Sequence, residues 1–222
     1  MTRLPFSRRP PGKDRGFTLI EILIASTIFA IVLIGVYVVY DANQSTYVRG
    51  EGRANLQQNV RVALDQITRE LLMAGYDPTG VLANPINYKK TVLYPTRDIT
   101  DYAMQSLAAS TVRFLADVDG DSVTEVVEFS YNGTNKRINR QVWTWNAGTL
   151  TWSTGNAEAI TEDNTINSLA FTYRDESNAI TANDYAVRRI EVSLSASVKV
   201  GSQGTQSLDL HSDIRPRNLS LE

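Results

Sequence analysis

Residues 16–40 read GFTLIEILIASTIFAIVLIGVYVVY, and the reading of this stretch decides the rest. Residues 17–40 form 24 consecutive positions with one charge, Glu21. As a helix they rise about 36 Å, enough to cross the hydrocarbon core of a bilayer. The residues before them are basic. Arg3, Arg8, Arg9, Lys13 and Arg15 face a single acid, Asp14. Beyond residue 16 the balance inverts, with 17 basic residues against 23 acidic ones. Basic flanks stay on the cytoplasmic side of a membrane, so this charge step orients the N-terminus inward and the body outward.

A removable secretory signal fits poorly. Its apolar run is shorter, and it ends in a small-x-small cleavage site. Here the run is followed by DANQSTYV, and a cut after Ala42 puts Tyr40 at the −3 position. A plain membrane anchor fits the hydropathy but leaves Glu21 unexplained. A carboxylate deep in a span costs roughly 2.5–3.5 kcal/mol, so an acid there points to function and calls for a partner. Nearer the cytoplasmic end that cost falls, and in the first turn a carboxylate also favours the helix dipole by a few tenths of a kcal/mol.

The stretch RGFTLIEILIAS, with a short basic leader ending in Gly16, then Phe17, then Glu21, resembles the processing signal of type IV prepilins. The resemblance implies cleavage between Gly16 and Phe17 by a membrane prepilin peptidase and N-methylation of the Phe17 amine. It also implies withdrawal of the body from membrane lipid into a helical filament, with other pilin subunits and an inner-membrane assembly platform as partners. Glycine has no side chain to obstruct a protease cleft. In a filament, Glu21 is expected to pair with the Phe17 amine of a neighbouring subunit. Desolvation takes back much of the attraction, so the pair sets axial register more than strength.

Beyond residue 40 the chain stays helical in pattern. Gly50 and Gly52 each weaken a helix by about 1 kcal/mol, which predicts a kink or frayed turn there. From 54 to 74, Leu56, Val60, Ala63, Leu64, Ile67, Leu71 and Ala74 recur at spacings of three and four, the apolar face of an amphipathic helix. Gly75 reads as its C-cap and Pro78 as its stop. The ending MAGYDP, residues 73–78, resembles PilW-like minor pilins and the J-type pseudopilins of type II secretion. Residues 76–110 read as loop with a short strand near 91–94. Strand patterns follow at 111–116, 123–131, 137–145, 166–174, 187–200 and 205–214, separated by DGD, NGTN and NAGT turns. The expected fold is α+β: a long N-terminal helix, its first half transmembrane, packed on an antiparallel β-sheet head. The organisation is leader 1–16, membrane and filament-core helix 17–40, amphipathic spine 41–75 and β-rich head 76–222.

Many major pilins carry a C-terminal disulfide loop and a helix-distorting proline in the second half of the apolar run. This chain has no Cys and only Gly35 there. Both departures favour a minor pilin or a pseudopilin. The expected place is the bacterial inner membrane, then the periplasm or the cell-surface pilus.

Residues 117–128 read DVDGDSVTEVVE. Asp117, Asp119 and Asp121 stand at positions 1, 3 and 5 of a calcium-loop pattern, with Glu128 at position 12. The glycine falls at position 4 rather than 6, and the flanks are strands, so this is no EF-hand. A tight loop holding calcium through Asp117, Asp119, Asp121 and Glu125 competes with a plain turn that uses Asp and Gly for backbone reasons. Such a loop would suit a tip-displayed adhesin. The single His211 has Ser212 and Asp213 beside it, but strand alternation turns Ser212 away from them, and no nucleophile elbow occurs. Trp143 and Trp145 share a face, where core or subunit packing is the first reading and an exposed contact patch the second. No glycine-rich phosphate loop is present, and a net charge of −2 gives no pull toward nucleic acid. The expectation is a structural subunit, not an enzyme.

Overall fold

The computed structural model describes residues 16–78, 104–146, 148–149, 151–153, 155–200 and 204–220. Helix α1 spans Leu19–Leu72, 54 residues without a break. Contacts divide the chain into two units, the first ending at Tyr47 and the second beginning at Val48.

In the first unit the apolar residues from Phe17 to Tyr40 bury nothing within the chain. Their large hydrophobic side chains are between 50% and 86% exposed. Helix α1 is the one helix among the described residues long and apolar enough to cross a membrane. Its polar side chains are satisfied locally. The Ser26 and Thr27 hydroxyls both donate to the Leu23 carbonyl, at 2.9 and 2.8 Å. A helix that closes its serine and threonine hydroxyls presents fewer unsatisfied groups to an apolar surrounding.

The second unit holds the core. Leu56, Val60, Ala63, Leu64, Ile67, Leu71 and Ala74 are all buried, the face read from the 3.6-residue period. Two antiparallel sheets receive it. The first comprises β1 (Met104–Leu107), β2 (Thr111–Ala116), β3 (Glu125–Asn132), β4 (Arg137–Asn146) and β5 (Thr151–Trp152) in that order, with β6 (Glu158–Ala159) also paired to β4. The second comprises β7 (Ile166–Arg174), β8 (Arg189–Lys199) and β9 (Thr205–Ile214) in that order. The inward rows are Val112, Phe114 and Ala116, then Val127 and Phe129, then Leu169, Phe171 and Tyr173, then Ile190, Val192, Leu194 and Ala196. Backbone bonds tie the sheets together, with Phe171 N–H to Ala109 O at 2.8 Å and Ile166 N–H to Lys136 O at 2.9 Å.

The outer face of the first sheet carries a second cluster. Leu115, Val126 and Trp143 stand in one cross-strand row, joined by Trp145 and Trp152. The tryptophans are buried, so core packing holds and the exposed-patch reading does not. The Trp145 and Trp152 rings lie 5.2 Å apart, and the Arg113 guanidinium sits 5.0 Å from the Trp143 ring centre while pairing with Glu128.

Three expectations change. Strand β1 lies where a loop was expected. MQSL has no β-branched residue, and its pairing with β2 supplies the order that propensity lacks. The strands form two sheets rather than one. The helix runs through Gly50 and Gly52 with no frayed turn. A Cβ on Gly52 would come within 2.9 Å of Val200 Cγ2. The missing side chain lets strand residue Val200 seat against the helix, and that packing offsets the weak propensity. The proposed strand near 91–94 lies outside the described residues.

Gly75 follows the helix end with φ +85°, and a Cβ there would lie 3.1 Å from the Asn218 carbonyl oxygen. Both facts require glycine. The buried Glu70 was not foreseen. Its two carboxylate oxygens each accept from Arg140 Nε at 2.9 Å, and Gln66 adds a bond at 3.1 Å.

Helix propensity alone favours Gly52→Ala by about 1 kcal/mol. We expect the opposite sign, a lower denaturation midpoint for the full-length chain, with the loss recovered in Gly52→Ala/Val200→Ala. A stabilised single variant would remove the close-approach account.

Candidate functional site

The first site is the start of α1. Gly16 and Phe17 are exposed, and a Cβ built on Gly16 meets nothing within 4 Å. Thr18 and Glu21 then form a reciprocal cap. The Thr18 N–H and the Thr18 hydroxyl both donate to Glu21 Oε2, at 2.8 and 3.0 Å, and the Glu21 N–H donates to Thr18 Oγ1 at 3.3 Å. This is the capping box S/T-x-x-E/Q, which satisfies N–H groups that the first helical turn leaves open. Glu21 therefore has a role in its own subunit, beyond the dipole effect read from sequence. Among the described residues the cap engages only Oε2 of the exposed Glu21.

The second site is the β2–β3 loop. Each acid is turned onto a backbone N–H. Asp117 Oδ1 accepts from Gly120 at 2.7 Å and Oδ2 from Ser122 at 3.1 Å. Asp119 accepts from Asp121 at 3.1 Å, and Asp121 from Val123 at 2.7 Å. Glu125 Oε2 accepts from Val118 at 3.0 Å. Gly120 and Ser122 take positive φ, +79° and +68°. One oxygen each of Asp117, Asp119 and Glu125 lies within 4.8 Å of the others. Asp121, the fourth acid expected there, stands outside that group. Asp117 and Glu125 are buried and Asp119 is exposed. Burial, opposed by the Val118 hydrogen bond and reinforced by Asp119, Asp121 and Asp117, pushes the Glu125 carboxyl up to about 7.

The segment after the helix is stitched to this loop at both ends. The Gly75 N–H donates to Leu115 O at 2.8 Å, and the Asp117 N–H to Tyr76 O at 3.1 Å. The Thr124 hydroxyl donates to Asp77 Oδ1 at 2.5 Å. The AGYD run is thus the joint between spine and sheet.

His211 lies exposed on β9 with Nδ1 3.0 Å from Ser193 Oγ. Ser212 points the other way, 3.1 Å from Thr68 Oγ1 on the helix, and Asp213 is held by Arg189 Nε at 2.6 Å. The three neighbours in sequence do three separate things, and none orients another for proton transfer.

A carboxyl raised in the folded state binds more protons there than in the unfolded chain. Stability therefore falls as pH rises from about 4.5 to 7. Glu125→Gln keeps an acceptor for Val118 and removes the titration. We expect it to match wild type near pH 4.5, to melt higher at pH 8, and to flatten the interval between. An unchanged slope in thermal melts would contradict this.

Residues 12–37 match the prokaryotic N-terminal methylation motif, and residues 51–215 match the family described as prepilin peptidase-dependent protein B. Over 62 residues the chain is 44% identical to the pilin-like protein PilA3 of Thermus thermophilus, a stretch that is 28% of this chain and 26% of that protein. The chain thus spans about a quarter of the length of that relative. The motif match lies over Gly16, Phe17 and the capped helix start, and the family match covers most of the spine and both sheets. The chain belongs to the prepilin peptidase-dependent protein B family and carries the prokaryotic N-terminal methylation motif.

Proposed function

We propose that the chain is a non-enzymatic filament subunit made in the inner membrane and then moved into a pilus. The observation that carries this reading is the apolar half of α1, which buries nothing in its own chain and starts on a capped turn directly after an open glycine. Residues 1–16 serve as the leader. The prepilin peptidase cuts between Gly16 and Phe17, and the new Phe17 amine is methylated. Residues 17–40 anchor the chain in lipid and later form filament core, while 41–75 act as spine and 76–222 as displayed head. Glu21 pairs through Oε1 with the Phe17 amine of a neighbour, while Oε2 keeps the cap. The remaining partners are other pilin subunits and the inner-membrane assembly platform. A type II secretion pseudopilin would use the same parts, and the system that fails on deletion separates the two.

Intact-mass analysis of native protein tests the reading. The expected mass is that of a chain beginning at Phe17 with one added methyl group; a chain still beginning at Met1 refutes it. Gly16→Leu should leave full-length precursor. Glu21→Ala should be processed normally but enter filaments several-fold less well, and unchanged entry would remove the pairing role.

A calcium ion at the β2–β3 loop is a second proposal, supported by the convergence of Asp117, Asp119 and Glu125. Hard cations take carboxylate oxygens, and a cation would offset the burial, and the smaller acid–acid repulsion, that raise Glu125. Binding to the folded state raises the melting temperature by mass action. Millimolar Ca²⁺ at pH 8 should raise the melting temperature of wild type and not of Asp117→Asn. No shift at that concentration would leave the loop as a self-capped turn.

A further inference from the structure

Strand β9 is the last strand of the second sheet and has β8 on one side only. Its ladder with β8 runs without a bulge from the Ile190–Ile214 pair to the Lys199–Thr205 pair. The mouth of the hairpin fixes which backbone groups are occupied. There the Val200 N–H donates to Gly204 O at 2.9 Å. Hydrogen-bonded pairs alternate along an antiparallel ladder, so the even-numbered residues of β9 bond to β8. Thr205, Ser207, Asp209, His211 and Asp213 therefore turn their N–H and C=O groups to the free edge. Ser197, opposite Ser207, obeys the same alternation, since its N–H donates away from β9 to Thr165 O at 2.8 Å. All five edge residues are exposed, and among the described residues none has a backbone partner on that side.

An edge strand is usually blunted by proline, lysine or a bulge. The β9 sequence TQSLDLHSDI has none of these. Such an edge takes up another extended strand through main-chain bonds. Side-chain charge then selects the strand. When a second β9 pairs antiparallel with the first, edge residues must oppose edge residues. Two registers meet this condition while using nine of the ten residues. The one centred on Asp209 sets that carboxylate against its own copy. The one centred on Leu210 sets Asp209 opposite His211 twice, Ser207 opposite Asp213, and Leu210 opposite itself. Opposite charges across a strand pair stabilise it and like charges destabilise it, so the second register is selected. The groups it needs are open. His211 Nδ1 lies 3.0 Å from Ser193 Oγ, and among the described residues Nε2 has no partner. The Asp209 carboxylate has no hydrogen bond or ion pair among the described residues.

We infer that β9 pairs with β9 of a second copy of this chain, antiparallel and centred on Leu210, which joins two three-stranded sheets into one continuous sheet. The same patch serves both copies, so the contact is isologous and closes in pairs rather than propagating. Main-chain bonds supply the adhesion, and the Asp209–His211 pairs fix the register and the partner. The inference goes beyond the filament reading and needs only the folded head.

The chain has no native cysteine, so introduced ones report alone. Full-length Leu210→Cys is oxidised mildly in membranes of the native host, beside Ser195→Cys as a collision control on the same sheet. Opposed residues in a non-hydrogen-bonded pair lie about 4.5 Å apart, within disulfide reach. Leu210→Cys should give a disulfide-linked homodimer, and Ser195→Cys several-fold less of it. Adding His211→Asp sets acid against acid and should cut the cross-link several-fold. Adding Asp209→Arg as well restores opposite charges and should restore the cross-link. Ser207→Cys co-produced with Asp213→Cys reads the same register from exposed positions, with a mixed dimer expected from the pair and none from either alone. Failure of both cysteine tests overturns the inference. So does a cross-link to a different protein, or a yield that His211→Asp leaves unchanged.

Discussion

An apolar helix with nothing of its own to lie against is the constraint on which everything else here depends. Burying one Leu, Ile, Val or Phe side chain is worth about 1.5–3 kcal/mol. The first half of α1 exposes such side chains on every face, from Phe17 to Val39. No water-facing resting state accommodates that surface, so the chain needs lipid or other helices around it. Lipid satisfies the side chains first, and a bundle of like helices satisfies them equally well. Because the two surroundings are close in free energy for apolar groups, specificity has to come from polar atoms. Glu21 is the one charged side chain within this surface, and under the proposed reading it meets the Phe17 amine of a neighbour.

The second half of α1 solves the opposite problem. Its buried stripe packs in one core with both sheets, and Val60, Ile67 and Leu71 are fully enclosed. The Glu70–Arg140 pair pins helix to strand β4 in one register, because sliding either element would leave a buried carboxylate unpaired. Past the helix, Gly75, Tyr76 and Asp77 grip both ends of the acidic loop. The spine's end and the loop's shape are thereby one structural decision.

Much of this was legible from residues alone, and the reasons are specific. The stripe from Leu56 to Ala74 is visible because a 3.6-residue period survives any tertiary context. Strands β2 and β7 carry β-branched and aromatic runs bounded by turn chemistry, and their limits follow. The processing signal is legible because its residues are consecutive. What escaped has a common cause. Strand β1 depends on β2 for its order, the two-residue β5 and β6 are too short to have a pattern, and Gly52 is explained only by Val200 far along the chain. Glu70 reads as a polar interruption until Arg140 is placed beside it. Thr18 was missed although its spacing to Glu21 before an apolar run is itself the capping-box signature. In the acidic loop, sequence spacing put Asp121 with the other acids, whereas the folded loop brings together only Asp117, Asp119 and Glu125.

The central claim is that one helical surface faces lipid first and neighbouring subunits later. A single cysteine at Val32, on a chain that otherwise has none, tests it directly. With a lipid-soluble maleimide, the membrane fraction should label readily at that position, and sheared filaments should be protected. Equal labelling in both fractions, or a chain found only in the membrane, would contradict the account.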